Sequence, residues 1–396
     1  MRLRVAGVLV LLLVGFLAFN EFLRPIPAVA ATPGVPSATT TTGTVPALPW
    51  PSVGSAAVGT SGLGLIANSG NEAAAPAASV AKVMTALLVL EDKPLKKNDP
   101  GPVILITDAD VQVYQSEKAQ EQSVVEVRTG EQLTEFQALQ GLLIPSGNNL
   151  AFTLANWDAG SVAAFVVKMN KRAKALGMSH TTFADPAGAL TQTVSTPSDL
   201  VMLGMVAMKQ EVFAQIVATS DAKLPVAGTV YNVDYALGQS GIIGIKTGSG
   251  LNLGANFLFA ASANVSGFTI TMYGCVMGQP TLDRAFAAAK ALIAAMQPQL
   301  RVARVLSKYV SVGSYEPPWG GHAELLSTAN VDLVEYPGMI LRQSLRAPTL
   351  AIDKPIAPGT AEGELHILLG DYSLDVPLTT SASLYPPGRF WRLTRI

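Results

Sequence analysis

After Gly241 the hydrophobic pattern of this 396-residue chain changes its period, and that change limits the folds open to it. Upstream, apolar residues recur at helical spacing. Val80 to Glu91 reads as a buried helix, "LTEFQALQGLLIPSGNNLAFTLANW" as two helical runs broken at Pro145, and "SVAAFVVKMNKRAKALGM" as an amphipathic helix. One strand-like stretch, Gly62 to Gly70, precedes them. Downstream come the β-like runs "GIIGIKTGSG", "NFLFAASANV" and "FTITMYGCVMG", and then a helix over Leu282 to Met296 with Thr281 as its N-cap. Strand, helices, strands and a closing helix predict an α+β domain over residues 52–300, with helices packed on an antiparallel sheet. From about Arg301 the texture changes again. "VARVLSKYVSVGSY", "MILRQSLRA" and "ELHILLGDYSLDVPLTT" carry no helix-length pattern, which predicts a small all-β domain over residues 301–396.

Before the first strand lies a different kind of sequence. Arg2 and Arg4 precede an uncharged, mostly apolar run from Val5 to Phe19, and the small residues Ala28-Val29-Ala30 follow. That layout predicts an export signal over residues 1–30, cleaved after Ala30. An uncleaved signal anchor is the alternative, although the run falls short of the ~20 residues that span a bilayer comfortably. Residues 31–51, "ATPGVPSATTTTGTVPALPWP", lack periodicity and predict a flexible spacer. The working part is therefore expected outside the cytoplasm, in the cell wall or periplasm, with any membrane tether at the N-terminus.

Hydrophobic residues make up 49% of the chain and charged residues 14%, so sizeable cores can form. A net charge of −1 without a basic run argues against nucleic acid as a partner. His180, His322 and His366 are far apart and have no metal-ligand spacing, so no metal site is expected. The lone cysteine, Cys275, excludes an internal disulfide and reads as a small hydrophobe in a buried strand.

Three short motifs carry possible chemistry. Ser79 and Lys82 stand three apart at the start of an apolar helix, on one face. A serine hydroxyl becomes nucleophilic when a neighbour takes its proton, and a lysine can do so where burial and a second cation lower its pKa. The pattern alone is common, because Ser220-Asp221-Ala222-Lys223 fits it in a polar turn. Ser146-Gly147-Asn148 follows the Pro145 break, but Ser69-Gly70-Asn71 and Ser262-Ala263-Asn264 match as well. Lys246-Thr247-Gly248 ends a predicted strand, where Gly248 could leave room for a substrate along the strand edge. Singly, each has a bland reading as a cap, a turn or a solvated face.

The ordered trio is less common. Together with "ASVAKVMTALLVLE", "GEQLTEFQALQGLLIPSGNNLA", "MNKRAKALGMSHTTFADPAGA", "STPSDL" and "GIKTGSG", it resembles the exported D-alanyl-D-alanine carboxypeptidases, the low-molecular-mass penicillin-binding proteins. The resemblance covers roughly Ser61 to Pro298, and "PIAPGTAEGELHILLGDYSLDVPL" is similar to that family's second domain. It implies a penicillin-binding-protein/β-lactamase-like domain followed by a small all-β domain. It also implies that Ser79 attacks the carbonyl between the last two D-alanines of a peptidoglycan stem peptide, with Lys82 as base and Ser146 as proton relay. Asn148 would hold the peptide amide, and Lys246 and Thr247 the terminal carboxylate. The backbone N–H groups of Ser79 and Ser249 would form the oxyanion hole. No cofactor is implied, and β-lactams would acylate Ser79. The chain departs from the pattern at Ser249-Gly250, where relatives carry bulkier residues, and in the absence of their C-terminal amphipathic anchor.

Neighbouring functions remain as alternatives. A class A β-lactamase adds a glutamate between the second and third motifs, and here the only glutamate between Asn148 and Lys246 is Glu211, in the unrelated context "KQEVFAQ". A D,D-endopeptidase would use the same chemistry on crosslinks. A non-catalytic cell-wall scaffold would keep only the fold.

Overall fold

The structure is a computed structural model and describes residues 2–250 and 253–395. It opens with helix α1 (Arg2–Leu23). The helix does not stop at Phe19 but runs on through Asn20 and Glu21. Its apolar stretch Val5–Leu23, 19 residues long and uncovered by the rest of the molecule, has the length needed to cross a bilayer. Two strands follow, β1 (Ala31–Pro33) and β2 (Ala38–Thr40), in the segment expected to be a flexible spacer.

The following residues, 45–301, form one of two compact units. Strands β3 (Ser55–Thr60) and β4 (Gly64–Asn68) come first, then a 3-10 turn at Ala78–Ala81 that runs into α2 (Lys82–Asp92). Next are α3 (Asp108–Ala119), α4 (Glu135–Leu143), α5 (Asn148–Ala159), α6 (Val162–Ala175), α7 (Pro197–Ala207) and α8 (Glu211–Val217). Strands β5 (Ile242–Gly250), β6 (Gly254–Val265) and β7 (Phe268–Gln279) and helix α9 (Leu282–Met296) complete the unit. The sheet is antiparallel with strand order β5-β6-β7-β3-β4, which leaves β5 at an edge.

This is the α+β architecture that the change of period predicts. Both sheet faces are covered. Gly204 of α7 packs close to Ile245 and Leu258, while Phe286 of α9 meets Phe257 edge-on at 4.9 Å. Alternation along β6 explains why neighbouring residues serve opposite faces. Helix α2 carries apolar residues all round and is buried among the other helices. Local capping sets several boundaries. Thr134 and Gln137 form a capping box on α4, Gly160 ends α5 with φ 75, and Thr281 caps α9 as expected.

The second unit joins residues 2–44 to residues 302–395. It contains β8 (Arg301–Leu306), β9 (Ser311–Tyr315), β10 (Ala323–Ser327), β11 (Val331–Glu335), β12 (Ile340–Arg346), β13 (Ala361–Leu369), β14 (Tyr372–Thr380) and α10 (Arg389–Thr394). Its large sheet has the order β1-β9-β10-β14-β13-β12-β2. The stretch read as a spacer therefore supplies both edge strands: Ala31 lies opposite Tyr315, and Thr40 opposite Ile340. Backbone pairing needs only an extended chain with free N–H and C=O groups, and the open edges of β9 and β12 offered the partners. Most side chains of β1 and β2 face solvent, so no hydrophobic alternation announced them.

Thr41 fixes the end of β2. Buried, it donates from Oγ1 to Tyr336 O at 2.6 Å and accepts there from Met339 N at 2.8 Å. Thr41→Val keeps the shape but leaves the buried Tyr336 O and the half-buried Met339 N–H without their Thr41 partner, so the β unit should lose about 1–3 kcal/mol of stability. Thermal unfolding of wild type and variant measures this, and an unchanged midpoint would mean that the N-terminal segment contributes nothing to the unit.

Candidate active site

The site is built around the 3-10 turn that carries Ser79, and neighbours hold that turn from several sides. Asn256 of β6, fully buried, donates from Nδ2 to Pro76 O at 2.9 Å and to Ala77 O at 3.1 Å, and accepts from Gly278 N at 2.9 Å. A Cβ added at Gly248 of β5 would lie 3.0 Å from Ala77 O and from Ser79 N. The bare glycine thus lets the strand press against the serine turn; the space it leaves is taken by the turn, not by the room for substrate expected from sequence. A Cβ at Gly188 would fall 1.8 Å from Ala78 O, and Gly188 itself has φ 73. Ala78 sits at φ 49, a conformation costly for a residue with a side chain and maintained here by the packing around it.

Lys82, the first residue of α2, is completely buried. Its Nζ donates to Ser79 Oγ at 2.7 Å, to Asn148 Oδ1 at 2.6 Å and to Ala187 O at 3.0 Å. Three acceptors match the three hydrogens of an ammonium. A neutral amine keeps two donors, for Asn148 and Ala187, and turns its lone pair to the serine hydroxyl. Burial holds the Lys82 pKa well below the usual lysine value, and the nearby Lys246 charge lowers it further. The carboxylates of Asp185 and Glu117 act in the opposite direction.

Asp185 also shapes the loop that presents Ala187 O. Its oxygens accept from Ala187 N, Ala189 N and the Thr193 hydroxyl at 3.1, 2.8 and 2.6 Å. The adjacent carbonyl, Pro186 O, accepts from Thr85 Oγ1 at 2.7 Å, which ties the loop to α2.

The break between α4 and α5 supplies the next group. Ser146 is buried with φ 65, and Asn148 opens α5 two residues later. Besides accepting from Lys82, Asn148 donates from Nδ2 to Glu117 Oε2 at 2.9 Å and to Gln122 Oε1 at 3.3 Å. Asn149 bonds both backbone groups of Val125, its Oδ1 accepting from Val125 N and its Nδ2 donating to Val125 O, each at 2.9 Å. The segment after α3 is thereby fixed over the start of α5.

On β5, Lys246 and Thr247 are buried while Ser249 and Gly250 are exposed. Lys246 Nζ donates to Thr247 O at 3.0 Å. Burial lowers the Lys246 pKa to about 7 against the support of Asp234. Asp234, also buried, is pushed up to about 6 by its own burial. Among the described residues the side chains of Ser146, Thr247 and Ser249 make no hydrogen bond to Ser79 or Lys82. The structure thus bonds Ser79, Lys82 and Asn148 directly and brings the Gly248 backbone against the serine turn.

The competing sequence matches lie elsewhere. Ser220 donates to Asp221 Oδ2 at 2.7 Å at the start of an exposed hairpin, Asp221–Leu224 with Gly228–Tyr231. Glu211 forms an exposed ion pair with Lys97 at 3.7 Å. Cys275 is buried in β7, where burial pushes its thiol up. Sequence reasoning missed Glu117, Gln122, Asp185, Asp234 and Asn256. Only Asp185 had a local sign, the turn-forming Asp-Pro-Ala-Gly run at 185–188.

Comparison with known proteins agrees with this geometry. The profile of a family described as D-alanyl-D-alanine carboxypeptidase matches residues 59–281, more than half of the chain. D-alanyl-D-alanine carboxypeptidase DacB2 of Mycobacterium tuberculosis is 34% identical over 226 residues, 55% of this chain and 73% of that protein. Other matches are shorter: the chain spans 45% of the length of a Bacillus subtilis carboxypeptidase, and several relatives carry the name D-alanyl-D-alanine endopeptidase. The crystal structure of the Streptomyces K15 DD-transpeptidase superposes with a TM-score of 0.55 at 28% identity, covering 63% of this chain and 98% of that one. Penicillin-binding protein 5 from Haemophilus influenzae shares the fold over 88% of this chain and 100% of its own, with a TM-score of 0.62 at 16% identity.

Because Gly188 has no room for a side chain against the Ala78 carbonyl, Gly188→Ala should shift the serine turn and cost on the order of 3 kcal/mol. Thermal unfolding checks this, and a variant as stable as wild type would show that the turn is not clamped there.

Proposed function

The chain belongs to the D-alanyl-D-alanine carboxypeptidase family, and from that premise we propose that it removes the terminal D-alanine from peptidoglycan stem pentapeptides through an ester on Ser79. The observation that carries this reading is the buried Lys82 amine 2.7 Å from Ser79 Oγ, with its pKa lowered. Neutral Lys82 takes the hydroxyl proton as Ser79 Oγ bonds to the carbonyl carbon between the two D-alanines. The tetrahedral oxyanion lies against the backbone N–H groups of Ser79 and Ser249. Its collapse breaks the C–N bond, and the proton held by Lys82 passes through Ser146 to the leaving amine. Asn148 holds the peptide amide, while Lys246 and Thr247 hold the terminal carboxylate. Water then attacks the ester, Lys82 again accepting a proton, and Ser79 is released.

A D,D-endopeptidase is the second reading, supported by the relatives of that name and by the small, exposed Ser249-Gly250 at the end of β5. The chemistry is the same, and the substrates differ only beyond the D-alanine carbonyl. Purified protein is expected to release D-alanine from a pentapeptide ending in D-Ala-D-Ala faster than it opens a crosslinked dimer. The reverse ratio would favour the endopeptidase, and no D-alanine at all would overturn the main reading. A rapidly turned-over penicillin label would point to a β-lactamase. In Ser79→Ala the rate should fall by on the order of 10⁴-fold or more, and in Lys82→Ala by roughly 10³-fold, with folding retained.

The pH profile has a definite sign. Below the Lys82 pKa the base is protonated, so kcat/KM should rise with pH. Above about 7 the free enzyme loses the Lys246 charge that would meet the substrate carboxylate, so kcat/KM should fall again. A profile that does not fall above about pH 7 would remove Lys246 from this role, and one with no acidic limb at any pH would remove Lys82.

We also propose that the protein acts outside the cytoplasm, held at the membrane by α1. Three features support a retained helix. Its apolar span is long enough, Arg395 donates to the carbonyls of Glu21, Arg24 and Pro25 at its C-terminal end, and Val29 pairs with Leu350 at 2.8 Å. Fractionation of producing cells should place the full chain in the membrane after a carbonate wash. A soluble chain starting at Ala31 would show that the helix is removed.

A further inference from the structure

A side-chain amide has two unlike ends, and the one that Asn148 turns to Lys82 matters. With Oδ1 inward it accepts from the lysine; rotated by half a turn, it would set N–H groups against an ammonium. Something must hold the amide the right way round. Lys82 favours that orientation most strongly while it is charged, and the bond weakens as the base becomes neutral.

The other end of the amide meets two residues outside the three sequence motifs, Glu117 and Gln122. Gln122 cannot decide the orientation, because its own amide can turn and offer either a donor or an acceptor. An ionised carboxylate only accepts, so Glu117 accommodates Nδ2 and repels Oδ1. Its bond is also the shorter, 2.9 Å against 3.3 Å. Glu117 lies in the last turn of α3. That helix is fixed at its other end by the Thr107–Asp110 capping box and tied to α5 by Thr153 Oγ1 donating to Asp110 Oδ1 at 2.7 Å. The carboxylate is therefore held against the helix that carries Asn148.

We infer that Glu117 is a positioning residue: its carboxylate, 2.9 Å from Asn148 Nδ2, holds the amide with Oδ1 towards Lys82. A peptide carbonyl that takes a hydrogen from Asn148 Nδ2 displaces the longer bond to Gln122 and leaves the charged one in place. The charged groups that face Lys82 are Lys246 from β5, Asp185 from the loop before α7, and Glu117 from α3; Asp234 faces Lys246 in turn. Lys246 lowers the proton affinity of Lys82, and the two carboxylates raise it. Removing the Glu117 charge must then lower that affinity, so that Lys82 becomes neutral at a lower pH.

The inference rests on Lys82 being the base, and one of the two measurements is independent of that reading. In full-length protein labelled with carbon-13 at lysine Cε, with the Lys82 signal identified by its loss in Lys82→Met, Glu117→Gln should lower the proton affinity of Lys82 about threefold or more. In acylation by a fluorescent penicillin, the acidic limb of the Glu117→Gln profile should move to lower pH by the same factor, while Gln122→Ala leaves the limb where it was. On the plateau above the acidic limb, Glu117→Ala should acylate about tenfold more slowly, and Glu117→Gln, which can still accept from Asn148, should recover most of that loss. An unchanged Lys82 titration in Glu117→Gln, or wild-type acylation in Glu117→Ala, overturns the inference. Failure to release D-alanine with the Lys82 titration shifted as stated overturns the proposed function and leaves Glu117 in place.

Discussion

The site depends on taking the Lys82 amine out of water. Burying an ammonium costs several kcal/mol even after relaxation, and the structure offsets this with three acceptors and two nearby carboxylates. Each acceptor belongs to a different part of the chain: the 3-10 turn, the start of α5, and the loop after Asp185. A lysine satisfied in this way joins three segments at one point. The lowered proton affinity that would make it a base and the contacts that make it tolerable in a core are one balance. Moving any of the three segments would disturb the contacts that hold the Lys82 amine, together with the local stability.

A second constraint is the distance between backbones. Strand β5 approaches the serine turn so closely that a Cβ at Gly248 would lie only 3.0 Å from Ala77 O and Ser79 N, and the loop at Gly188 touches the same turn from another side. Asn256 provides the adhesive contact, bonding carbonyls just before Ser79 from the neighbouring strand. Under this pressure Ala78 remains at positive φ. Strain of that kind persists only where surrounding contacts over-determine it, and here it presents Ser79 half-exposed above a buried lysine.

Much of this was legible in the sequence, for identifiable reasons. Elements whose burial follows their own period were readable: α6 and α9, the strands after Gly241, and the break at Pro145. The Ser79–Lys82 pair was readable because both residues lie within one helical turn. Glu117 and Asn256 were not, because each acts across a long chain separation; Asn256 meets Ala77 over 179 residues, and no local pattern marks such a contact. Strands β1 and β2 were misread as a spacer for a different reason. An edge strand can keep its side chains in water and still be fixed through its backbone, so its sequence shows composition but no alternation.

The two Ser-x-x-Lys tetrads illustrate where chemical meaning resides. Ser79 and Ser220 have the same partner at the same sequence distance, yet Lys82 is sealed from solvent while Lys223 is exposed on a hairpin strand. The Ser220 copy has the spacing but lacks the burial and the side-chain and backbone acceptors that surround Lys82. Burial also gives the apolar helix behind the Ser79–Lys82 pair its place in the site. The run from Val83 to Leu90 fills the core around α2 and anchors the helix whose first residue is the buried Lys82, so packing residues with no chemistry of their own help to fix the burial on which the proposed reaction depends.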